Sequence, residues 1–120
     1  MVARSAQGKS CRDESASLHD LLHAALDAGI SHIDAAEMYD TEKFTGPAFQ
    51  EYLAMRSRKR EEFFITGKLW SSIPDVQGAM DKTLRYFQTE YLDLYLLHAP
   101  FLKERGIGSD VATVWRQLEE

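Results

Sequence analysis

The sequence predicts an α/β fold with a parallel sheet. Helical and strand patterns alternate from Ser17 onward, three short apolar runs have the length of buried strands, and each run ends on a polar, titratable residue: Asp34, Lys68 and His98. Successive strand ends are 34 and then 30 residues apart, about one βα unit each, with no sequence repeat accompanying the period. Parallel neighbouring strands bring their C-terminal ends onto one rim, where such folds place their chemistry.

The elements follow in order. Residues 1–16 are small and polar without periodicity and read as a disordered N-terminal arm. Leu18, Leu21, Leu22, Ala25 and Leu26 fall on one helical face, with Ser17 placed to cap the helix and Gly29 to end it. Strand one is expected over Ser31 to Ala35. A second helical stretch covers Thr41 to Ser57, but it contains Gly46 and Pro47; proline in a helix interior costs about 3 kcal/mol, so the well-formed part is expected to begin near Pro47, with Phe49, Tyr52 and Leu53 facing the core. Strand two is expected over Phe63 to Lys68. A third helix, Pro74 to Phe87, carries Val76, Ala79, Met80, Thr83, Leu84 and Phe87 at helical spacing, and strand three spans Tyr91 to His98. A loop with Gly106 and Gly108 leads to a fourth helix striped by Val111, Val114, Trp115 and Leu118. The run therefore divides into the arm and one α/β unit over 17–120. Periodicity alone fits a barrel or an open sheet.

Composition narrows the function classes. With 120 residues the chain forms one domain at most, able to bury roughly two thirds of its unfolded surface. Its net charge of −5 offers no field for nucleic acid, and no run of 18 apolar residues is present to span a membrane. A single cysteine, Cys11, forms no internal disulfide and suits a reducing compartment; without a secretory signal the cytoplasm is the default. The basic run Arg56 to Glu62 ends in two glutamates and reads as a solvated connection. The GIGSD segment follows no strand and lacks the lysine of a phosphate loop, and no Gly-rich turn follows any strand, which weighs against a small nucleotide-binding open sheet. His19 and His23 lie four apart on one helical face with no third ligand evident, so no metal site is expected. The aromatic residues Tyr86, Phe87, Tyr91 and Tyr95 read as core and strand packing.

Singly, an aspartate ending a strand caps a turn, a lysine after a strand is surface charge and a histidine is a satisfied core residue. Convergence on one rim, with Tyr39 in the first loop, changes their meaning. A tyrosine hydroxyl is a poor proton donor at neutral pH unless a cation stands beside it, and Lys68 is the natural cation. A partly buried ammonium needs an anion, which Asp34 could supply, while His98 could hydrogen-bond a substrate oxygen beside the tyrosine. A carbonyl held there would be polarised and protonated as a hydride arrived from a cofactor.

These residues carry a family resemblance. ALDAGISHIDAAEMYDTEKFTG resembles the aldo-keto reductase segment written as DAG, HIDTA, a tyrosine, an asparagine-glutamate pair and VG; EEFFITGKLW is similar to that family's lysine strand and YLDLYLLHAP to its histidine strand. The resemblance runs from about Leu18 to Glu120. It implies part of a (β/α)8 TIM barrel, about strands 2 to 4 with their helices, and the NADPH- or NADH-dependent reduction of small aldehydes and ketones. In the family's scheme Tyr39 is the general acid and Lys68 makes it more acidic. Asp34 pairs with Lys68 and approaches the nicotinamide ribose, His98 orients the carbonyl, and Trp70 is similar to an aromatic wall of the substrate pocket. Ala35 and Thr41 stand where threonine and asparagine are usual, and Pro47 is an unusual residue close after the tyrosine loop.

A full barrel takes roughly 250 residues. The strands that hold most of the nicotinamide and the phosphates are expected beyond Glu120, so turnover is not expected of these 120 residues alone. A parallel sheet covered on one face leaves apolar side chains and two strand edges exposed, and self-association through them is expected. The alternative is a non-catalytic half-barrel that acts as an interaction module.

Overall fold

The computed structural model describes residues 11–101 and 110–120. Helix α1 (Cys11–Asp27) leads into β1 (His32–Asp34), a single 3-10 turn (Glu37–Tyr39) and α2 (Glu42–Arg56). Then come β2 (Phe64–Leu69), α3 (Val76–Phe87), β3 (Leu94–Leu97) and α4 (Val111–Glu119). The strands form one parallel sheet in the order β1-β2-β3, so each βαβ crossover joins neighbours.

Helix α1 starts at Cys11 rather than at Ser17, so residues 11–16 of the expected arm are helical; the rest of the arm, 1–10, and the glycine loop, with Gly106 and Gly108, lie outside the described residues. Of the predicted α1 stripe only Leu26 is buried, and Leu21 faces solvent. Helix α2 begins at Glu42, five residues ahead of Pro47, and runs through the proline. The bond that Pro47 cannot donate would go to the carbonyl of Lys43, and both residues lie on the exposed face of α2, so the missing bond falls outside the core. Gly46 answers to packing: a Cβ there would overlap the backbone carbonyl of Tyr86, so glycine lets α2 close onto α3. Strand three is shorter than the predicted Tyr91 to His98, but His98 N–H still donates to Leu69 O and continues the ladder by one bond.

The pleat sorts the strand residues onto two faces. Ile33, Ile65 and Leu69 point outward into the core, joined by Leu26, Phe49, Tyr52, Phe63 and Phe87 under α1 to α3 and by Ile73, Val76, Ala79 and Val114 under α3 and α4. The opposite face holds His32, Asp34, Phe64, Thr66, Lys68, Leu94 and Leu96; His32 Nε2 lies 2.8 Å from Thr66 Oγ1 and its ring packs edge-on against Phe64. Among the described residues helices cover only the outer face.

The basic run closes the N-terminal end of the sheet. Arg56 grips Asp27 with two bonds, Arg58 pairs with Glu62, and Arg60 donates to Asp93 at 2.6 Å while stacking on Tyr91. Asp93 in turn accepts the N–H of Ile65. The connection is largely solvent-exposed, as expected, and its ion pairs tie it to α1 and to the start of β3. Among the described residues no helix is long and apolar enough to cross a membrane.

Candidate functional site

The register builds the site as a staircase. Asp34 pairs with Thr66 and Lys68 with Leu96, so Lys68 stands two residues higher on the same face than Asp34, and His98 lies beyond the end of β3 on that rim. Tyr39 comes from the 3-10 turn after β1, held by its N–H to Ala36 O and terminated by Asp40 in the left-handed region at φ 51°. All four predicted residues, Asp34, Tyr39, Lys68 and His98, are brought together, with Trp70 beside them.

Lys68 is the hub. Its ammonium reaches Asp34 Oδ1 at 2.6 Å, Ala35 O at 3.2 Å and Tyr39 Oη at 3.3 Å, so each of its three N–H bonds has an acceptor. Burial works against its charge, but the Asp34 carboxylate and the Tyr39 hydroxyl outweigh it and hold the lysine above its ordinary pKa. The Nζ also sits 4.9 Å from the centre of the Tyr39 ring. Because Tyr39 Oη accepts from a cation, its own proton is left for donation to another oxygen.

His98 packs edge-on to Tyr39, ring centres 5.6 Å apart, and to Trp70 at 5.1 Å. Its buried Nδ1 has no hydrogen-bond partner among the described residues. A buried N–H without an acceptor is costlier than a lone pair without a donor, so the neutral ring carries its proton on Nε2 and can donate from there.

A further residue, silent in the sequence, organises the rim. Glu37, two positions before Tyr39, accepts five hydrogen bonds from the loop after β2: the N–H groups of Trp70, Ser71 and Ser72 at 2.8, 3.0 and 3.3 Å on Oε2, and the hydroxyls of Ser71 and Ser72 at 2.8 and 2.6 Å on Oε1. Burial opposes its ionisation, but bonds from the Ser72 hydroxyl, the Trp70 N–H, the Ser71 hydroxyl and the Ser72 N–H prevail and hold its pKa down at about 2. Its partners lie 33 to 35 positions away, and no local pattern announces them. Behind the rim Glu42 is buried against the Thr83 hydroxyl, and burial raises its pKa. His19 and His23 stand apart from the site: His19 bridges Asp20 and Glu51, and His23 Nε2 donates to Ala48 O.

Known proteins resemble this chain in sequence and in fold. The model of the aldo/keto reductase family matches residues 4–120. Aldo-keto reductase family 1 member A1 of Mus musculus is 46% identical over 86 residues, covering 68% of this chain and 26% of the relative. Family 1 member C3 of Pongo abelii is 35% identical over 113 residues, covering 80% and 35%. Among solved structures, the aldose reductase from Schistosoma japonicum superposes with a TM-score of 0.63 at 36% identity, covering 70% of this chain and 28% of that one. The chain thus spans about a quarter to a third of the length of these relatives, and its parallel sheet with helices on one face is part of a TIM barrel. By sequence match and by fold, the chain belongs to the aldo/keto reductase family.

Proposed function

We propose that these residues form the proton-donating side of an NAD(P)H-dependent reduction of aldehydes or ketones to alcohols. The observation that carries the reading is the Lys68 ammonium held between the Asp34 carboxylate and the Tyr39 hydroxyl. Tyr39 donates its proton to the carbonyl oxygen, and Lys68 stabilises the phenolate left behind. His98, protonated on Nε2, orients the same oxygen, and Trp70 walls the pocket. The nicotinamide, when bound, supplies the hydride that reaches the carbonyl carbon. Asp34 fits its ribose: the carboxylate pairs with Lys68 through Oδ1 and is more than half exposed, so it can also accept from a hydroxyl. The sequence's single cysteine suits a reducing, cytoplasmic setting.

The test is NADPH fluorescence quenching and aldehyde-dependent loss of NADPH absorbance with the purified chain and its Tyr39→Phe variant. Any turnover the chain supports should be abolished by Tyr39→Phe with NADPH binding unchanged, and absence of binding would favour the half-barrel reading without touching the family assignment. Turnover that survives the substitution overturns the assignment of the acid.

One observation favours a second reading, a non-catalytic half-barrel that associates with itself. The uncovered sheet face carries Phe64, Leu94 and Leu96, each about 40% exposed. This reading expects a stable dimer that does not bind NADPH.

A further inference from the structure

We propose that Glu37 is a positioning residue, whose carboxylate ties the turn carrying Tyr39 to the loop carrying Trp70 and so fixes the aromatic wall relative to the proton donor. The inference deepens the carbonyl-reductase reading and rests on it for its functional meaning.

Four contacts close a ring. Tyr39 packs against His98, His98 against Trp70, Trp70 N–H donates to Glu37, and Glu37 shares a single 3-10 turn with Tyr39. Without Glu37 the ring opens at its polar link, and the loop loses the carboxylate that receives its three N–H groups. The link is also the strongest available to a loop of this kind. Three consecutive backbone N–H groups converge on one carboxylate oxygen and two consecutive hydroxyls on the other, which orders residues 70 to 72 together. Those N–H groups belong to a segment between β2 and the next 3-10 turn, Ile73–Asp75, where no sheet partner receives them. A charged acceptor brought from the neighbouring loop takes the place of a strand. The two loops that frame the pocket therefore move as one body.

Glutamine is close to isosteric and can serve all five donors' positions. Its carbonyl oxygen takes the three N–H groups, and its NH2 donates to the two serine hydroxyls, which can turn to accept. Alanine can serve none. The chain has two tryptophans, Trp70 and Trp115, so Trp70 is read alone in a Trp115→Phe background and Trp115, exposed on α4, alone in a Trp70→Phe background.

The experiment is acrylamide quenching and time-resolved anisotropy of each tryptophan in Glu37→Ala and Glu37→Gln. Glu37→Ala should raise the quenching of Trp70 about two- to threefold, as a loop that loses its polar anchor opens to solvent, and leave Trp115 unchanged. Glu37→Gln should restore Trp70 to near its parent value. An unchanged Trp70 in Glu37→Ala overturns the proposal, and so does an equal response of both tryptophans, the mark of general loosening. If Glu37→Ala does not fold, Ser71→Ala with Ser72→Ala keeps the carboxylate and removes two donors; Trp70 should respond in the same direction, and no response overturns the proposal. The readout needs neither nicotinamide nor carbonyl, so turnover that survives Tyr39→Phe tells against the reductase reading alone, while an unmoved Trp70 tells against Glu37 alone.

Discussion

Lys68 and Asp34 form an ion pair whose two ends are unequally buried: the lysine side chain is 12% exposed and the aspartate 58%. The asymmetry predicts unequal costs. Asp34→Asn leaves a desolvated ammonium short of its counter-ion and should cost about 1–2 kcal/mol, whereas Lys68→Met leaves a carboxylate that water can serve and should cost less than about 1 kcal/mol. The double variant should recover part of the Asp34→Asn loss. Urea denaturation of the four proteins at pH 7 measures all three values. The lysine's pKa is raised in the fold, so its contribution is fully present below the unfolded value of 10.5 and fades only as pH climbs through the folded value. The differences should therefore be constant from pH 6 to 9.

Glu37 works in the other direction. In the fold it holds no proton until about pH 2, against 4.5 when unfolded, so its contribution is fully present above pH 4.5 and is lost as pH falls toward 2. Glu37→Gln should reduce stability at pH 6 by about 1–2 kcal/mol, a figure discounted for solvent around a partly exposed carboxylate, and the deficit should vanish near pH 2. Asp27, Asp40, Glu62, Asp93 and Asp110 are also lowered, so the acid limb of the parent is shared; the difference between parent and variant isolates Glu37. A deficit that persists unchanged to pH 2 would show that the carboxylate's charge plays no part.

Glu42 has the opposite sign from Glu37. Burial raises its pKa, partly offset by the Thr83 hydroxyl, so the fold prefers its protonated form and stability declines as pH rises through the ordinary glutamate range. Glu42→Gln keeps an acceptor for Thr83 and removes the buried charge. At pH 7 it should raise Tm by a few degrees, the scale of about 1 kcal/mol in a domain of this size, and at pH 4 it should change little. Differential scanning calorimetry at the two pH values decides between this and a lower Tm at pH 7, which would mean that the carboxylate is held by a favourable interaction beyond Thr83.

What the sequence disclosed follows from how local each cause is. Asp34, Lys68 and His98 were legible because alternation along each strand fixes which residues share a face, and parallel pairing then aligns them. Glu37 was not, because its role exists only once the loop after β2 folds back over the turn after β1. Helix ends show the same divide. Helices α1, α2 and α3 all end with a residue in the left-handed region, Gly29 at φ 93°, Ser57 at 51° and Gln88 at 50°, and in each the next N–H reaches back to the final turn, Ile30 to Ala25, Arg58 to Leu53 and Thr89 to Leu84. Only the glycine announced itself. The other two carry a Cβ in a conformation that disfavours it, so Ser57→Gly and Gln88→Gly should each stabilise the fold by up to about 1 kcal/mol, less the extra freedom glycine adds to the unfolded chain. Chemical denaturation measures each, and a loss on either substitution would show that its side chain contributes more than the backbone strain costs.

The sheet face that no described helix covers predicts a behaviour in solution that can be measured. Leu94 and Leu96 follow one another along β3, level with Thr66 and Lys68, and Phe64 lies below Thr66 on β2, so apolar side chains flank the Asp34–Lys68 pair on this face. Apolar side chains on a face without described helices favour association, and the outer edges of β1 and β3, which have no strand partner among the described residues, offer backbone groups as well. Sedimentation velocity should therefore show association that grows with protein concentration. Leu94→Gln with Leu96→Gln removes apolar surface that the single chain leaves in water, so it should weaken association at least tenfold with little change in urea stability at low concentration. If both quantities fall together, the two leucines support the single chain rather than the contact between chains. If association is untouched, the strand edges rather than the face carry it, and a proline introduced in β3 is the variant that should then abolish it.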